Sequence, residues 1–578
     1  MISKTPKFDK ALDEYFAGLK LDEKGGQWRI CRFSGEKFYI RPEDVEFYKR
    51  MRVPLPTLSP NERHRLKLAF FNSFNLFKVK SAYSGKTVIA AAPPNTPYKI
   101  WEHKIWFSDA WDPLDYGKTY DENESFFKQF HTLTLDIPRP DLYVDPASVN
   151  SDYTHNSLKL KNCYFVFESV ESEDCLYGVY AYTKNSIDGF GLENSDTSYA
   201  DFISFHLYNC FWCEHSRNCQ NSYFLYDCRS CEYCFMCVNL RNKKYHFLNK
   251  PLGKEEYEAK IKEINLGNRE VAEKYKKEFE ELKKQAVHKP DHNEKAINST
   301  GDYVTNSRNC FESSIVRDSE NSAYCLGGFK IRDSYHMAGG TNIEASYESQ
   351  AVNSYGVKFC LWAEESRDLE YCFDCSKCEN CFGCVSLKNK KFCIFNEQYS
   401  EEEYWKLIDK IKAKMLADGE YGEFFPSYIA PIPYNLSIAM SYVGYDNIET
   451  AKQYGYAIEE IPESKDEVAD ETVEVETLPA DIKNVSDNIL NKIIFDKKNN
   501  RKFRFIKTEV DFYRKYNIPL PAENPTTRIE NMRKKAGTIK FDIHERICPK
   551  CGIEFETVYP LDDPRIVYCE PCYLKEVV

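Results

Sequence analysis

Asp227-Cys228-x-x-Cys231-x-x-Cys234-x-x-Cys237-Val238-x-Leu240-x-Asn242-Lys243-Lys244 returns later in the chain as Asp374-Cys375-x-x-Cys378-x-x-Cys381-x-x-Cys384-Val385-x-Leu387-x-Asn389-Lys390-Lys391. Every matched residue is displaced by 147 positions without a gap, so one structural unit is present twice. A rhythm leads into the first ladder: Asn162-Cys163-Tyr164, Asp174-Cys175-Leu176, Ser186-Ile187, Ser198-Tyr199, Asn209-Cys210-Phe211 and Asn221-Ser222-Tyr223, with starts 11 or 12 residues apart. The second copy carries Asn309-Cys310-Phe311, Asn321-Ser322, Asp333-Ser334-Tyr335 and Ala345-Ser346-Tyr347. That period suits one strand and a turn, and two such units predict a coil of roughly 24 residues. The expected fold is mainly β with α additions, built on tandem β-solenoid (β-helix-like) lobes at 150–249 and 298–397. Small residues would stack in columns, such as Cys163 with Cys175 and Cys210 with Ser222 and Cys234.

The ladders, Cys228–Cys237 and Cys372–Cys384, admit three readings. Free cysteine packs as a small hydrophobe, four thiolates hold a structural metal, and an iron–sulfur cluster uses related spacing. The bacterial cluster run ends Cys-x-x-x-Cys-Pro, whereas Val238 and Val385 follow here.

Each ladder is followed by helical sequence that would cap an otherwise open β edge. Region 250–297 reads as a helical hairpin broken at Asn265-Leu266-Gly267-Asn268. Region 398–458 begins with the capping box Ser400-Glu401-Glu402-Glu403. It continues through an apolar face of Leu407, Ile408, Ile411 and Met415 to Gly419, then a strap.

The ends form a second duplication. Residues 1–65 hold a short helix and then Cys31-x-x-Ser34, Asp44-Val45-Glu46-Phe47-Tyr48, Val53-Pro54-Leu55-Pro56 and Ser59-Pro60-x-x-Arg63. At an offset of 465 come Glu509-Val510-Asp511-Phe512-Tyr513, Ile518-Pro519-Leu520-Pro521 and Asn524-Pro525-x-x-Arg528. Both phrases, within 31–65 and 496–535, resemble a small zinc-ribbon family. The ligand positions that this resemblance implies hold Cys31, Ser34, Ser59 and Glu62, then Asp496, Asn499, Asn524 and Thr527. Serine, asparagine and threonine are poor zinc ligands, so both modules read as ligand-stripped.

Region 66–149 is aromatic-rich, with Trp101, Trp106 and Trp111 among Asp109, Asp112 and Asp115. It predicts a packed mixed α/β region; a carbohydrate platform is the sharper alternative. Region 459–490 is an acidic linker, with nine acidic residues and one lysine between Glu459 and Glu476. Region 491–578 opens on a basic strip, 492–540, and closes on Cys548-x-x-Cys551 and Cys569-x-x-Cys572. Two knuckles offer four thiolates to one Zn²⁺ in a closed structural site. The basic strip suits nucleic acid or, alternatively, the acidic linker.

The 578 residues carry a net charge of −12, which gives no general prior for nucleic-acid binding, and length suggests about three to five domains. The 23 cysteines accompany neither a signal-like start nor an apolar run long enough to span a membrane, so a reducing cytoplasm is expected. Phe47-Tyr48, Val53-Pro54-Leu55-Pro56, Asn150-Ser151-Asp152-Tyr153, Pro433-Tyr434-Asn435-Leu436-Ser437, both ladders and the terminal ribbon together resemble a set of uncharacterised cysteine-rich proteins encoded by candidate-phyla bacteria. The resemblance covers nearly the full chain and implies a domain layout but no activity.

The leading expectation is a non-enzymatic zinc-binding scaffold, whose ribbon docks a protein, ribonucleoprotein or nucleic-acid partner. A carbohydrate-active β-helix enzyme and a self-assembling structural protein are the alternatives. No catalytic constellation is identified: no paired carboxylates stand out, and His288 with His292 is the only metal-spaced histidine pair among the 11 histidines.

Overall fold

The computed structural model describes residues 3–445, 447–460, 472–536 and 543–577. It divides into two compact units. One joins the chain up to Asp141 with Asp291–Glu459; the other joins Leu142–Pro290 with the described parts of Glu460–Ala536 and Glu545–Val578. The N-terminal module therefore shares a unit with the second repeat lobe, and the C-terminal module with the first. Among the described residues the fold is mixed α/β, with thirteen α-helices and two large sheets of ten and twelve strands dominated by parallel pairing. The α content exceeds the expected additions because the modules and connecting segments are themselves helical.

Pairing in the lobes corrects the expected 24-residue coil. Asp196, Tyr208, Gln220, Glu232 and Lys244 lie side by side on successive parallel strands. Arg367, Glu379 and Lys391 do the same in the second lobe. Each partner is twelve residues on, so the chain returns beside itself after twelve.

The reason lies in the backbone. From Asn150 almost every third residue has a left-handed φ: Tyr153, Asn156, Lys159, Asn162, Phe165, Glu168, Glu171, Asp174 and onward. Each is a corner, and four of them fall within each twelve-residue step between paired strands. Among residues that carry a side chain, asparagine and aspartate tolerate this conformation best, which explains why Asn-Cys and Asp-Cys recur. Larger apolar residues follow other corners and are buried with the cysteines, among them Leu160, Leu225, Ile331 and Met337.

The residue after most corners is buried. Cys163, Val166, Ser169, Ser172 and Cys175 are all buried. Inward serines also serve the backbone. Ser157 Oγ accepts the Ser169 N–H at 3.1 Å and donates to the His155 carbonyl at 3.0 Å. Ser222 Oγ likewise accepts the Cys234 N–H at 3.0 Å and donates to the Gln220 carbonyl at 2.7 Å. These contacts occupy polar groups that a corner takes out of the strand ladder.

Each stack ends the same way. Asn249 accepts the Val238 N–H and donates to the Val238 carbonyl, both at 2.9 Å. Asn396, 147 residues on, does so with Val385 at 2.8 Å each. The side-chain amide takes the place of the next strand. Helices then pack beyond: Lys254–Glu263 brings Tyr257 against Tyr245, and Glu401–Ala417 brings Tyr404 against Phe392. The capping box on Ser400 and Glu403 is formed.

In the first unit, Phe47 of helix Pro42–Met51 stacks on Tyr335 with ring centroids 3.7 Å apart. In the second, Tyr513 and Tyr516 of helix Lys507–Tyr516 meet Tyr199 and Phe211. The hairpin forms as helices Lys254–Glu263 and Arg269–Gln285. Of the expected acidic linker, 461–471 lies outside the described residues. Residues 472–490 pack on the hairpin, where Arg269 donates to the Leu478 carbonyl and Ile482 N–H to Gly267.

Candidate metal centre

The terminal ribbon starts with a hairpin of strands His544–Ile547 and Glu554–Thr557. Between them the chain turns at Cys548-x-x-Cys551-Gly552. Cys548 N–H bonds the Ile553 carbonyl and Gly552 N–H the Cys548 carbonyl, each at 2.9 Å. Gly552 sits at φ 75°, a value that disfavours any side chain. The second pair, Cys569 and Cys572, opens helix Glu570–Val577.

The ribbon is anchored on its own unit. Val287–His288 pairs in parallel with Ile566–Val567, and Pro290 O accepts the Val558 N–H. The Tyr573 hydroxyl bonds Asp227 and accepts from Arg241 Nη2 at 2.7 Å. Asp227 directly precedes the first ladder, so the ribbon reads the repeat lobe at its most sulfur-rich turn.

Ligand atoms of Cys548, Cys551, Cys569 and Cys572 all lie within 4.8 Å of one another. Cys551 and Cys569 sulfurs are 3.6 Å apart. Four sulfurs about 2.3 Å from one tetrahedral ion would be about 3.8 Å apart, so the donor set fits a metal ion. Burial opposes ionisation of Cys548, yet the N–H groups of Cys569, Lys550 and Cys551 hold its thiol down at about 6. Burial and the neighbouring thiols push Cys572 up to about 12. Crowded thiols of this kind shed protons when a cation joins them. His544 is outside the group.

The same hairpin occurs three more times, which sequence reasoning recognised only in part. Arg29-Ile30-Cys31-x-x-Ser34-Gly35 repeats Arg546-Ile547-Cys548-x-x-Cys551-Gly552, with Cys31 N–H to Glu36 O and Gly35 N–H to Cys31 O. Ser81-x-x-Ser84-Gly85 repeats it with Ser81 N–H to Lys86 O and Gly85 N–H to Ser81 O. Asp496-x-x-Asn499 occupies an equivalent turn, closed by Asn500 at φ 50°. Hydrogen bonds gather the ligand positions in these copies. Burial opposes ionisation of Cys31, yet Ser34 and the Ser59 backbone beside it draw its thiol below the usual range. Glu102 accepts from the hydroxyls of both Ser81 and Ser84. The Asp496 carboxylate accepts from the Asn499 amide and the Asn524 N–H at 2.9–3.0 Å. Glu62 turns to Arg65 and the Tyr445 hydroxyl.

The ladders are a different environment. Their thiols face backbone carbonyls: Cys228 sulfur lies 3.6 Å from Tyr226 O and 3.5 Å from Cys237 O. Cys375 lies 3.6 Å from both Phe373 O and Cys384 O. A carbonyl accepts a proton from S–H and repels a thiolate. Among the described residues, the four ribbon cysteines are the only group of acidic, histidine or cysteine side chains close enough to hold a metal.

The remaining candidate residues have these surroundings. Trp101 and Trp106 meet Trp111 at 5.7 and 6.0 Å, and the indole N–H groups of Trp106 and Trp111 bond backbone carbonyls. His288 pairs through its backbone with the ribbon, whereas His292 Nδ1 faces Asp302 in the other unit. In the basic strip, Arg528, Arg533 and Lys535 pair with Asp188, Glu168 and Glu214 of the first lobe. Arg501, Arg514 and Lys498 pair with Glu530, Asp487 and Glu523.

Two buried ionic clusters were missed: Arg63 with Glu348, Lys67 and His336, and Arg528 with Asp188 and Glu509. The 465-residue offset that relates the two arginines was the available signal.

No family model matches the chain, and no curated protein matches it. Among solved structures, one similar chain is a provisionally assigned acetyltransferase from Desulfovibrio desulfuricans G20. It is 8% identical, covering 47% of this chain and 81% of that one at a TM-score of 0.09. At that score the likeness carries no argument. No described helix is long and apolar enough to cross a membrane.

Proposed function

We propose that the chain is a non-enzymatic cytoplasmic scaffold. Two β-solenoid lobes of twelve-residue coils are each clasped by a ligand-depleted zinc-ribbon-like module, and a zinc-stapled C-terminal ribbon docks a protein or ribonucleoprotein partner. The carrying observation is the set of four cysteine sulfurs within 4.8 Å of one another. A set of four thiols leaves no open coordination position for substrate, the arrangement of a structural rather than a catalytic ion. Zinc is the natural occupant of such a tetrahedral set. The solenoid reading rests on the twelve-residue parallel register and the left-handed corners.

A protein or ribonucleoprotein is favoured over naked nucleic acid because much of the basic strip is spent on ion pairs inside its own unit. The free cysteines of the described residues suit a reducing compartment.

Metal analysis of the full chain purified without added metal tests the reading, with about one zinc per chain expected. Two or three would place the ladders among the metal sites, and iron with visible absorbance would replace the zinc assignment. Partners captured by the full chain should be lost in Cys551→Ser. RNA or DNA binding that survives that change and weakens steeply with salt would shift the assignment to the basic strip.

A further inference from the structure

The two module–lobe contacts are built on one plan with opposite charge excess. At the offset of 465, Arg63 matches Arg528, Asp44 matches Glu509 and Tyr48 matches Tyr513. Both arginines are buried against an acid of the lobe that the module covers.

In the N-terminal contact Arg63 is saturated. Its Nε donates to Glu348 at 3.0 and 3.2 Å, Nη1 to the Tyr48 hydroxyl and to His336 Nε2 at 2.7 Å, and Nη2 to the Tyr347 hydroxyl and Glu348. Lys67 adds a second cation on Glu348 at 3.1 Å. Asp44 has its own arginine, Arg41, at 2.6 Å, and accepts from the Tyr324 hydroxyl. Cations outnumber carboxylates here, and His64 and His336 are sealed among them. Burial, with Arg63 and Lys67 nearby, holds both imidazoles well below the usual histidine range.

The C-terminal contact has lost three cationic or ionisable partners. Arg41, His64 and Lys67 become Ile506, Ile529 and Met532. One arginine, Arg528, then faces two carboxylates. It reaches Asp188 at 3.3 Å, and its guanidinium nitrogens form no hydrogen bond among the described residues. Glu509 is buried and accepts the Ile506 N–H at 2.8 Å. The groups that face this pair are Tyr513 on the same helix, Arg528 and Glu523 from the module, Tyr164, Tyr177 and Tyr199 from the lobe, and Lys276 from the hairpin. Burial, only partly offset by Arg528, raises Glu509 to about 7 and Asp188 to about 6.

We propose that the two contacts respond to pH in opposite directions: the C-terminal module grips its lobe through a proton retained on the Glu509–Asp188 pair and loosens with alkali, whereas the N-terminal module loosens with acid, which drives protons onto His64 and His336. A carboxyl raised on docking stabilises the docked state below its free value, and the gain is lost as pH climbs through the docked one. For Glu509 that window runs from its ordinary 4.5 to about 7. A histidine lowered on docking gives the reverse: stability holds above 6.5 and drains as pH falls beneath it.

Hydrogen exchange of the full chain, with rates corrected for intrinsic pH dependence, tests this. Protection of Lys507–Tyr516 should fall about tenfold or more between about pH 5 and about pH 8, while that of Pro60–Leu68 rises. Glu509→Gln should flatten the first response and leave the second intact. Ile506→Arg, which supplies the missing cation, should flatten it too. Should either variant fail to fold, the infrared band of a protonated carboxyl at neutral pH in the wild type decides. A pH-independent protection of Lys507–Tyr516, a wild-type slope in Glu509→Gln, or absence of that band overturns the proposal.

Discussion

Asn249 and Asn396 each spend both polar atoms of one amide on a backbone that would otherwise face outward with nothing paired. Asn396→Ala strands the Val385 N–H and carbonyl in a buried place and should cost about 1–3 kcal/mol, read as a lower denaturant midpoint at unchanged slope. A midpoint within error of wild type would mean that the amide is ornamental. The ladder makes a contrasting prediction. Cys378 sulfur faces the Ser376 and Leu387 carbonyls, a contact that inward serines make elsewhere in the stacks. Cys378→Ser should therefore leave metal content unchanged and stability within about 1 kcal/mol. Loss of a metal ion in that variant would contradict the packed-thiol reading. At this scale the sequence was half legible. Asn-Cys and Asp-Cys advertised a corner followed by a small inward residue, but Tyr153, Lys159 and Phe165 adopt the same left-handed corner without any residue preference that announces it.

The ribbon and its three relatives form a series in which four thiols placed to hold a metal ion, or hydrogen bonds in their stead, gather one turn. Cys548-x-x-Cys551 was readable because four thiols at two short spacings have few other uses. The Asp496 and Ser81 versions were harder to read, because a carboxylate with an amide, or a carboxylate with two hydroxyls, leaves no spacing signature. Chelation or Cys572→Ser should release the metal and raise hydrogen exchange across 544–577, with the rest of the second unit less affected. Converting Asp496, Asn499, Asn524 and Thr527 together to cysteine should raise the metal content by one ion per chain, measured by elemental analysis. An unchanged count in a folded variant would show that the turn no longer gathers these positions. The ionic contacts on Arg63 and Arg528 escaped notice because their partners come from distant segments, and burial is a tertiary property.

Over the whole molecule, the assignment of modules to lobes was invisible in the sequence. Each module resembles the other, and nothing in either phrase names the lobe it covers; the N-terminal module shares a unit with the lobe that begins more than two hundred residues away. The period was legible, its meaning less so: the expected coil joins two twelve-residue units, whereas the parallel register sets residues twelve apart side by side. A tandem duplication of Ser376–Leu387 adds one whole turn and keeps every corner in phase, whereas a duplication two residues shorter does not. The first should retain circular dichroism and cooperative melting; the second should aggregate or melt broadly. Equal behaviour of the two would show that the phase is not what holds the stack. On the proposed solenoid reading, a fold with this step has a graduated length. Because neighbouring turns sit about 4.8 Å apart, gain or loss of a turn moves whatever is mounted at its far end by that increment and by no fraction of it. On that reading each lobe is a ruler, and two copies would let one chain hold two lengths that can drift apart a notch at a time.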